Sequence, residues 1–159
     1  MYLYVACMQQ LITEEIKVFV NTVKLGFVAT VCPDGTPNLS PKGTTIAWDA
    51  NHLAFADIHS PGTVANLKVN PSIELNVVDM FTRKGFRFKG IGLVLSEGNV
   101  YEEILAYYRS TGSKHHVNNI VLIEVHTVLP VVSPAYFTSL SEKEITEWWI
   151  RYWQDIHQS

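Results

Sequence analysis

Two short stretches concentrate groups able to hold an anion. In Ser40-Pro41-Lys42-Gly43-Thr44-Thr45, a hydroxyl, an ammonium, a permissive glycine and two further hydroxyls follow one another in a β-rich context. A phosphate requires charge-assisted donors and open backbone N–H groups, and Lys42 with Ser40, Gly43 and Thr44 supplies both. The same string also reads as a solvated edge whose proline blocks strand-on-strand association. The second stretch, Asp57-Ile58-His59-Ser60-Pro61-Gly62-Thr63, lies between a strand and the start of a helix. There, unpaired N–H groups and the positive end of the helix dipole attract anions. Ser60 and Thr63 add hydroxyls, and Ser60 before Pro61 reads equally as an ordinary helix cap.

Neither stretch is a G-x-x-x-x-G-K-[ST] loop, and no G-x-G-x-x-G opens a helix after a strand, so nucleoside triphosphate and Rossmann dinucleotide sites lack support. His115-His116 falls in a polar loop without a third ligand at zinc spacing and reads as exposed. His59, beside the second stretch, is a proton-relay candidate or an idle loop residue. Glu102-Glu103 and Glu142, Glu144 and Glu147 read as solvated helix faces. No nucleophile-elbow string points to serine hydrolysis. Cys7 and Cys32 have neither CxxC nor Cys/His spacing, which excludes a cysteine zinc finger and a dense disulfide framework and fits a reducing, cytoplasmic setting.

The 159 residues are 47% hydrophobic, enough to bury the core of one domain. With 12 Lys+Arg against 15 Asp+Glu the net charge is −3, so no broad cationic surface invites nucleic acid or anionic lipid. Met1–Met8 is apolar but too short for a signal core, and no run approaches the roughly 20 apolar residues of a membrane span.

These stretches need elements to hold them in place. Leu11, Ile12, Ile16, Phe19, Val20 and Val23 recur at helical spacing, with Thr13 as cap. Gly26–Cys32 is a strand that turns at Asp34-Gly35, where a positive φ is needed. The return, Asn38–Trp48, carries Pro41 and Gly43 and reads as an edge or irregular strand near a ligand. A strand at His52–Asp57 leads to a short helix from Pro61 that ends before Asn70-Pro71. Ser72–Val78 and Gly85–Leu95 are further strands. In the second of these, Arg87, Lys89, Ile91 and Leu93 share one face opposite Phe86 and Phe88, and Gly90 and Gly92 mark curvature or close approach. A helix over Asn99–Ser110, a strand over Ile120–Val128 and a Trp-rich helix over Glu142–His157 complete the reading. Trp148, Trp149 and Trp153 read as packing residues, with cover for a ring as the alternative. Six strand-like runs with connections too short for early βαβ crossovers predict a mainly β, α+β fold: a six-stranded antiparallel split β-barrel with short peripheral helices and a C-terminal helix. It would span 1–159 as one domain, the barrel over about 25–130 and the helical tail over about 141–157.

The order and spacing of several strings resemble the FMN-binding split barrels of the pyridoxamine 5′-phosphate oxidase superfamily. They are Leu25-Gly26-Phe27-Val28-Ala29-Thr30, Pro33-Asp34-Gly35-Thr36-Pro37, Ser40-Pro41-Lys42-Gly43, Leu53-Ala54-Phe55-Ala56-Asp57, Thr63-Val64-Ala65-Asn66-Leu67 before Asn70-Pro71, and Arg87-Phe88-Lys89-Gly90, within a run from Gly26 to about Leu95 that spans about half the chain. The resemblance implies a homodimer with FMN at each subunit interface. It puts Lys42, Ser60 and Thr63 near the phosphate, Ser40, Pro41, Gly43 and Thr44 along the flavin and ribityl chain, and Asp57 and Ile58 in the same cleft. It offers Arg87 as a ring-edge or phosphate contact, or else a solvated or interface charge, and leaves Asn66 a structural residue. A flavin-dependent oxidoreductase follows, with a non-catalytic FMN carrier as the other reading and F420 or haem as the ligands of related barrels. The chain ends Trp149-Ile150-Arg151-Tyr152-Trp153-Gln154-Asp155-Ile156-His157, in place of the Arg- and His-containing substrate motif of the oxidases proper, so oxidation of vitamin B6 is not implied.

Overall fold

The computed structural model describes residues 10–158; Met1–Met8 and Cys7 lie outside them. The elements are α1 (Glu14–Val23), β1 (Gly26–Val31), β2 (Pro37–Lys42), β3 (Ile46–Ala47), β4 (His52–Asp57), α2 (Pro61–Val69), β5 (Ser72–Val78), β6 (Lys84–Leu95), α3 (Asn99–Ser110), β7 (Asn119–Val132) and, after a 3₁₀ turn at Pro134–Phe137, α4 (Glu142–Gln158). The strands form one antiparallel sheet in the order β2-β1-β5-β6-β7-β4-β3. Its two edges, β2 and β3, are consecutive in the chain, so the sheet must curl into a half-barrel that the Gly43-Thr44-Thr45 turn closes. This confirms the mainly β, barrel-like α+β expectation with one correction. The predicted return strand Asn38–Trp48 is two strands, and the count is seven rather than six.

The break has a physical cause. Thr45 N–H leaves the ladder for the carbonyl of Lys24, and its hydroxyl turns back onto the carbonyl of Lys42. The Thr44 hydroxyl accepts from Ala56 N–H at 3.0 Å and lies 3.3 Å from Ala56 O, replacing with a side chain the backbone pairing a continuous strand would make. Gly26 leaves room for the turn, since a Cβ there would stand 2.5 Å from Thr45 Oγ1. Pro37 and Pro41 are tolerated because β2 is an edge strand.

Alternation sets which side chains face in. Val28 and Thr30 of β1, Ile73, Leu75 and Val77 of β5 and Phe88 of β6 are buried, and Ile16 and Val20 of α1 pack into the same core. The hydroxyl of Thr13 caps α1 by accepting from Ile16 N–H at 3.3 Å. β4 is buried on both faces: Leu53 and Phe55 enter that core, while Ala54 and Ala56 enter a second one with Ile46, Ile120 and the Ile104 and Tyr108 side chains of α3. Between β6 and β7 the register slips at Lys89/Gly90, leaving His126 as the extra residue of a bulge. Glycine is required there, since a Cβ on Gly90 would lie 2.0 Å from Glu124 O. β7 runs beyond the predicted Val128 to Val132, where it pairs with Lys84. The Arg83 guanidinium stacks 3.3 Å from the Trp149 ring, and Lys84 pairs with Glu142, tying α4 to the β5–β6 turn. No helix among the described residues is long and apolar enough to cross a membrane.

Candidate functional site

β1 and β2 are joined by the Asp34-Gly35 turn, with Gly35 at φ 84° as the hairpin requires. Their register places Ser40 opposite Val28 and Lys42 opposite Gly26, on the inward side of the sheet edge. α2 approaches from across the barrel and is fixed by Asn66, whose amide donates to Thr30 Oγ1 at 3.1 Å, the same hydroxyl that accepts from Asn38. Asn66 is therefore structural, as expected. The result brings the two predicted stretches together. Lys42 Nζ donates to Ser40 Oγ at 2.6 Å, and Ser40 Oγ lies 3.3 Å from Thr63 Oγ1.

Lys42 is 7% exposed and sits 5.9 Å from the centroid of the Phe55 ring. An ammonium offers three donors, and Ser40 takes one; the ammonium donates no further hydrogen bond among the described residues. Burial pushes its pKa below the ordinary value of 10.5, with the Asp57 carboxylate opposing that shift. A buried cation with unmet donors, flanked by two hydroxyls, has the chemistry of a phosphomonoester site, so the residues present fit the phosphate end of FMN.

Asp57 closes β4 beside this cluster. Its Oδ1 accepts from Ser60 N–H and its Oδ2 from the Asn119 amide, both at 2.8 Å. The expected Ser60 cap does not form: Ser60 makes no side-chain bond to the helix, and Asp57 holds the turn before α2 instead. Asp57, His59, Ser60, Pro61, Lys68 and Asn119 line a groove of about 440 Å³ along α2. Ile58 turns its side chain to the second core, where it packs partly buried. Pro41 and Gly43 are exposed at the sheet edge, while Thr44 is engaged by the turn, its carbonyl accepting from Tyr108 O–H at 2.7 Å. Burial raises the Tyr108 pKa, so that hydroxyl stays a donor.

Arg87 does not join the cluster. It shares the outer face of the sheet with Glu74, 3.2 Å away, and Asn76, its cross-strand partner. Ser40 and Lys42 line the other face of the sheet, so within one subunit Arg87 is the exposed charge of its alternative reading. The sequence reading missed Asn119, Tyr108 and Phe55. Asn119 meets Asp57 only through the β4–β7 register, and Tyr108 meets Thr44 only because α3 packs over the turn; neither pairing leaves a local spacing to read.

The pyridoxamine 5′-phosphate oxidase family matches residues 12–146. HupZ of Group A Streptococcus is 29% identical at a TM-score of 0.69, with 77% of this chain and 95% of that one covered. An FMN-binding protein of Syntrophomonas wolfei is 19% identical at a TM-score of 0.65, covering 76% of this chain and 86% of that one. An F420 reductase shares the fold at 19% identity and a TM-score of 0.58, covering 74% and 98%. No curated protein matches the chain in sequence. The half-barrel, the buried Lys42 with its two hydroxyls and the match over most of the length agree, and the chain belongs to the pyridoxamine 5′-phosphate oxidase family.

Proposed function

We propose that the protein binds FMN and acts as a flavin-dependent oxidoreductase on a small substrate or electron acceptor. The observation that carries this reading is the Lys42–Ser40–Thr63 chain, a buried ammonium joined through hydroxyls to the first turn of α2. Lys42 and the Ser40 and Thr63 hydroxyls would hold the phosphate, with Ser60 beside them. Pro41, Gly43 and Thr44 would flank the ribityl chain and ring, and Asp57 with the backbone of Ile58 would close the cleft behind them. When bound, the flavin ring supplies hydride or electron transfer, and the chain's task is to orient it and limit its access to water; no strong acid or base is required of the protein.

The working form would be a homodimer with a flavin at each subunit interface. Supporting this, the outer face of the sheet near the site exposes Phe27, Leu39 and Leu129, apolar area of the kind a second subunit covers. Arg87 on that face would then be an interface charge. The cytoplasm suits a chain with no disulfide framework.

The test is an absorption spectrum of the purified protein, titration with FMN, and reduction by NADH or NADPH followed by reoxidation. A bound flavin spectrum with turnover is expected. Flavin that no donor reduces would make the protein a carrier, a deazaflavin or Soret spectrum would replace the cofactor, and absence of binding would refute the reading.

A further inference from the structure

Asp57 is a carboxylate removed from water, with each of its oxygens held by a donor. It is 4% exposed, and its two oxygens are taken by Ser60 N–H and the Asn119 amide. Asn118, just before β7, donates its N–H at 2.8 Å to the Asp57 carbonyl and its amide to the carbonyl of Ile58 at 3.0 Å, so the approach to β7 also grips this strand end. Burying an ionised carboxylate is expensive even when its lone pairs are met. Holding Ser60 N–H needs only a neutral acceptor such as Ser or Asn. The charge does more than the turn demands.

What a charge adds is a field, and Lys42 lies on the same side of β4: Asp57 follows Phe55 by two residues on one face of the strand, and the Lys42 ammonium stands 5.9 Å from the Phe55 ring centroid. The other groups placed around Lys42 are the Ser40 hydroxyl of β2, the Thr63 hydroxyl of α2 and the Phe55 ring of β4, none of which titrates in the working range. Asp57 also anchors Ser60, the residue from which α2 starts, and α2 presents Thr63.

We propose that Asp57, held by Asn119, is a positioning residue of the anion site: a buried counter-charge to Lys42 that also sets the first turn of α2, with no contact of its own to the bound phosphomonoester. The effect on cofactor binding rests on the FMN reading above; the relation between Asp57 and Lys42 does not. The sign follows from the charges. A carboxylate favours the protonated lysine, so its removal makes Lys42 lose its proton at lower pH and makes phosphate binding fail at lower pH. Where Lys42 remains charged, removing a negative group near a dianion weakens nothing.

The experiment pairs two measurements on the full chain. Side-chain NMR of the lysines in the flavin-free protein follows the titration of Lys42, assigned by its loss in Lys42→Met. Fluorescence titration with FMN from pH 7 to 10 follows binding above the second phosphate ionisation. Asp57→Asn keeps an acceptor for Ser60 and is expected to lower the Lys42 midpoint by about one pH unit, with the pH at which FMN affinity falls moved down by the same amount. The exchange Asp57→Asn with Asn119→Asp keeps an amide–carboxylate pair between β4 and β7 and should recover part of the shift. Asn119→Ala, which leaves the charge but frees one oxygen, is the second variant should Asp57→Asn not fold, and should weaken FMN binding several-fold with Lys42 still protonated at pH 7. A Lys42 midpoint unmoved in folded Asp57→Asn overturns the proposal, as does an FMN affinity lowered equally at every pH, which would make Asp57 a direct ligand. A wild-type protein that binds no FMN while its Lys42 midpoint still responds to Asp57 overturns the proposed function and upholds the counter-charge.

Discussion

Replacing Lys42 with methionine should move ligand affinity and apo stability in different directions. The side chain is 7% exposed and its ammonium makes one hydrogen bond, to Ser40. The flavin-free protein therefore bears the cost of a buried charge with little to offset it. Methionine keeps the stem and its packing near Phe55, so the apo variant should be as stable as wild type or more so. The FMN complex should lose a charged hydrogen bond, about 1.5–3 kcal/mol, or about ten- to 150-fold in Kd. In a thermal melt with FMN at 100 times the wild-type Kd, the wild type gains about 2.7 kcal/mol. A 50-fold weaker variant gains only about 0.6 kcal/mol by the same relation. At about 2–4 °C per kcal/mol for a domain of this size, that is a ligand shift of about 5–11 °C reduced to about 1–3 °C. Unchanged FMN affinity would remove Lys42 from the phosphate site. A fall in apo stability matching the fall in affinity would make it a structural residue.

Further outcomes follow from the same geometry. Because burial holds the Lys42 pKa below 10.5, the unfolded chain binds the proton more tightly than the folded one. Apo stability measured by urea unfolding should therefore rise with pH between the depressed folded value and 10.5, and Lys42→Met should flatten that rise. Tyr108→Phe removes the donor to Thr44 O and should cost about 1–3 kcal/mol in the same assay, with weaker FMN binding as the turn loosens. Gly90→Ala forces a Cβ to 2.0 Å from Glu124 O, so circular dichroism and yield of folded protein should show a loss at or beyond the upper end of about 1–3 kcal/mol. Trp149→Ala removes the ring under Arg83, a contact of about 0.5–2 kcal/mol. Hydrogen exchange should quicken in α4 while the amides of β5 and β6 stay protected.

Where local chemistry decided the structure, the sequence could be read closely. Thr13 caps α1 and Asp34-Gly35 makes the hairpin because cap and turn preferences act within a few residues. Alternation in β6 placed Arg87 and Lys89 opposite Phe88. What escaped depends on pairings between distant segments. The split of the return strand is made by Thr44 meeting Ala56 and Thr45 meeting Lys24, contacts with no periodic signature. The bulge that isolates His126 exists only in the β6–β7 register. At the site, the convergence of Lys42, Ser40 and Thr63 came from the resemblance more than from spacing. The role of Asp57 before α2 went to Ser60 in the reading because an acceptor three residues earlier competes for the same end of the helix.

The strip from β2 through Gly43-Thr44-Thr45 to β3 works as a latch, since the strands β1-β5-β6-β7-β4 are laddered to one another without it. A guest gripped by Ser40 and Lys42 is thus fastened to the strap that holds the hoop shut. Severing the chain at Gly43 would leave those five strands zipped while both rims come loose, and occupancy of the cradle would be felt first as a tightening of that hoop.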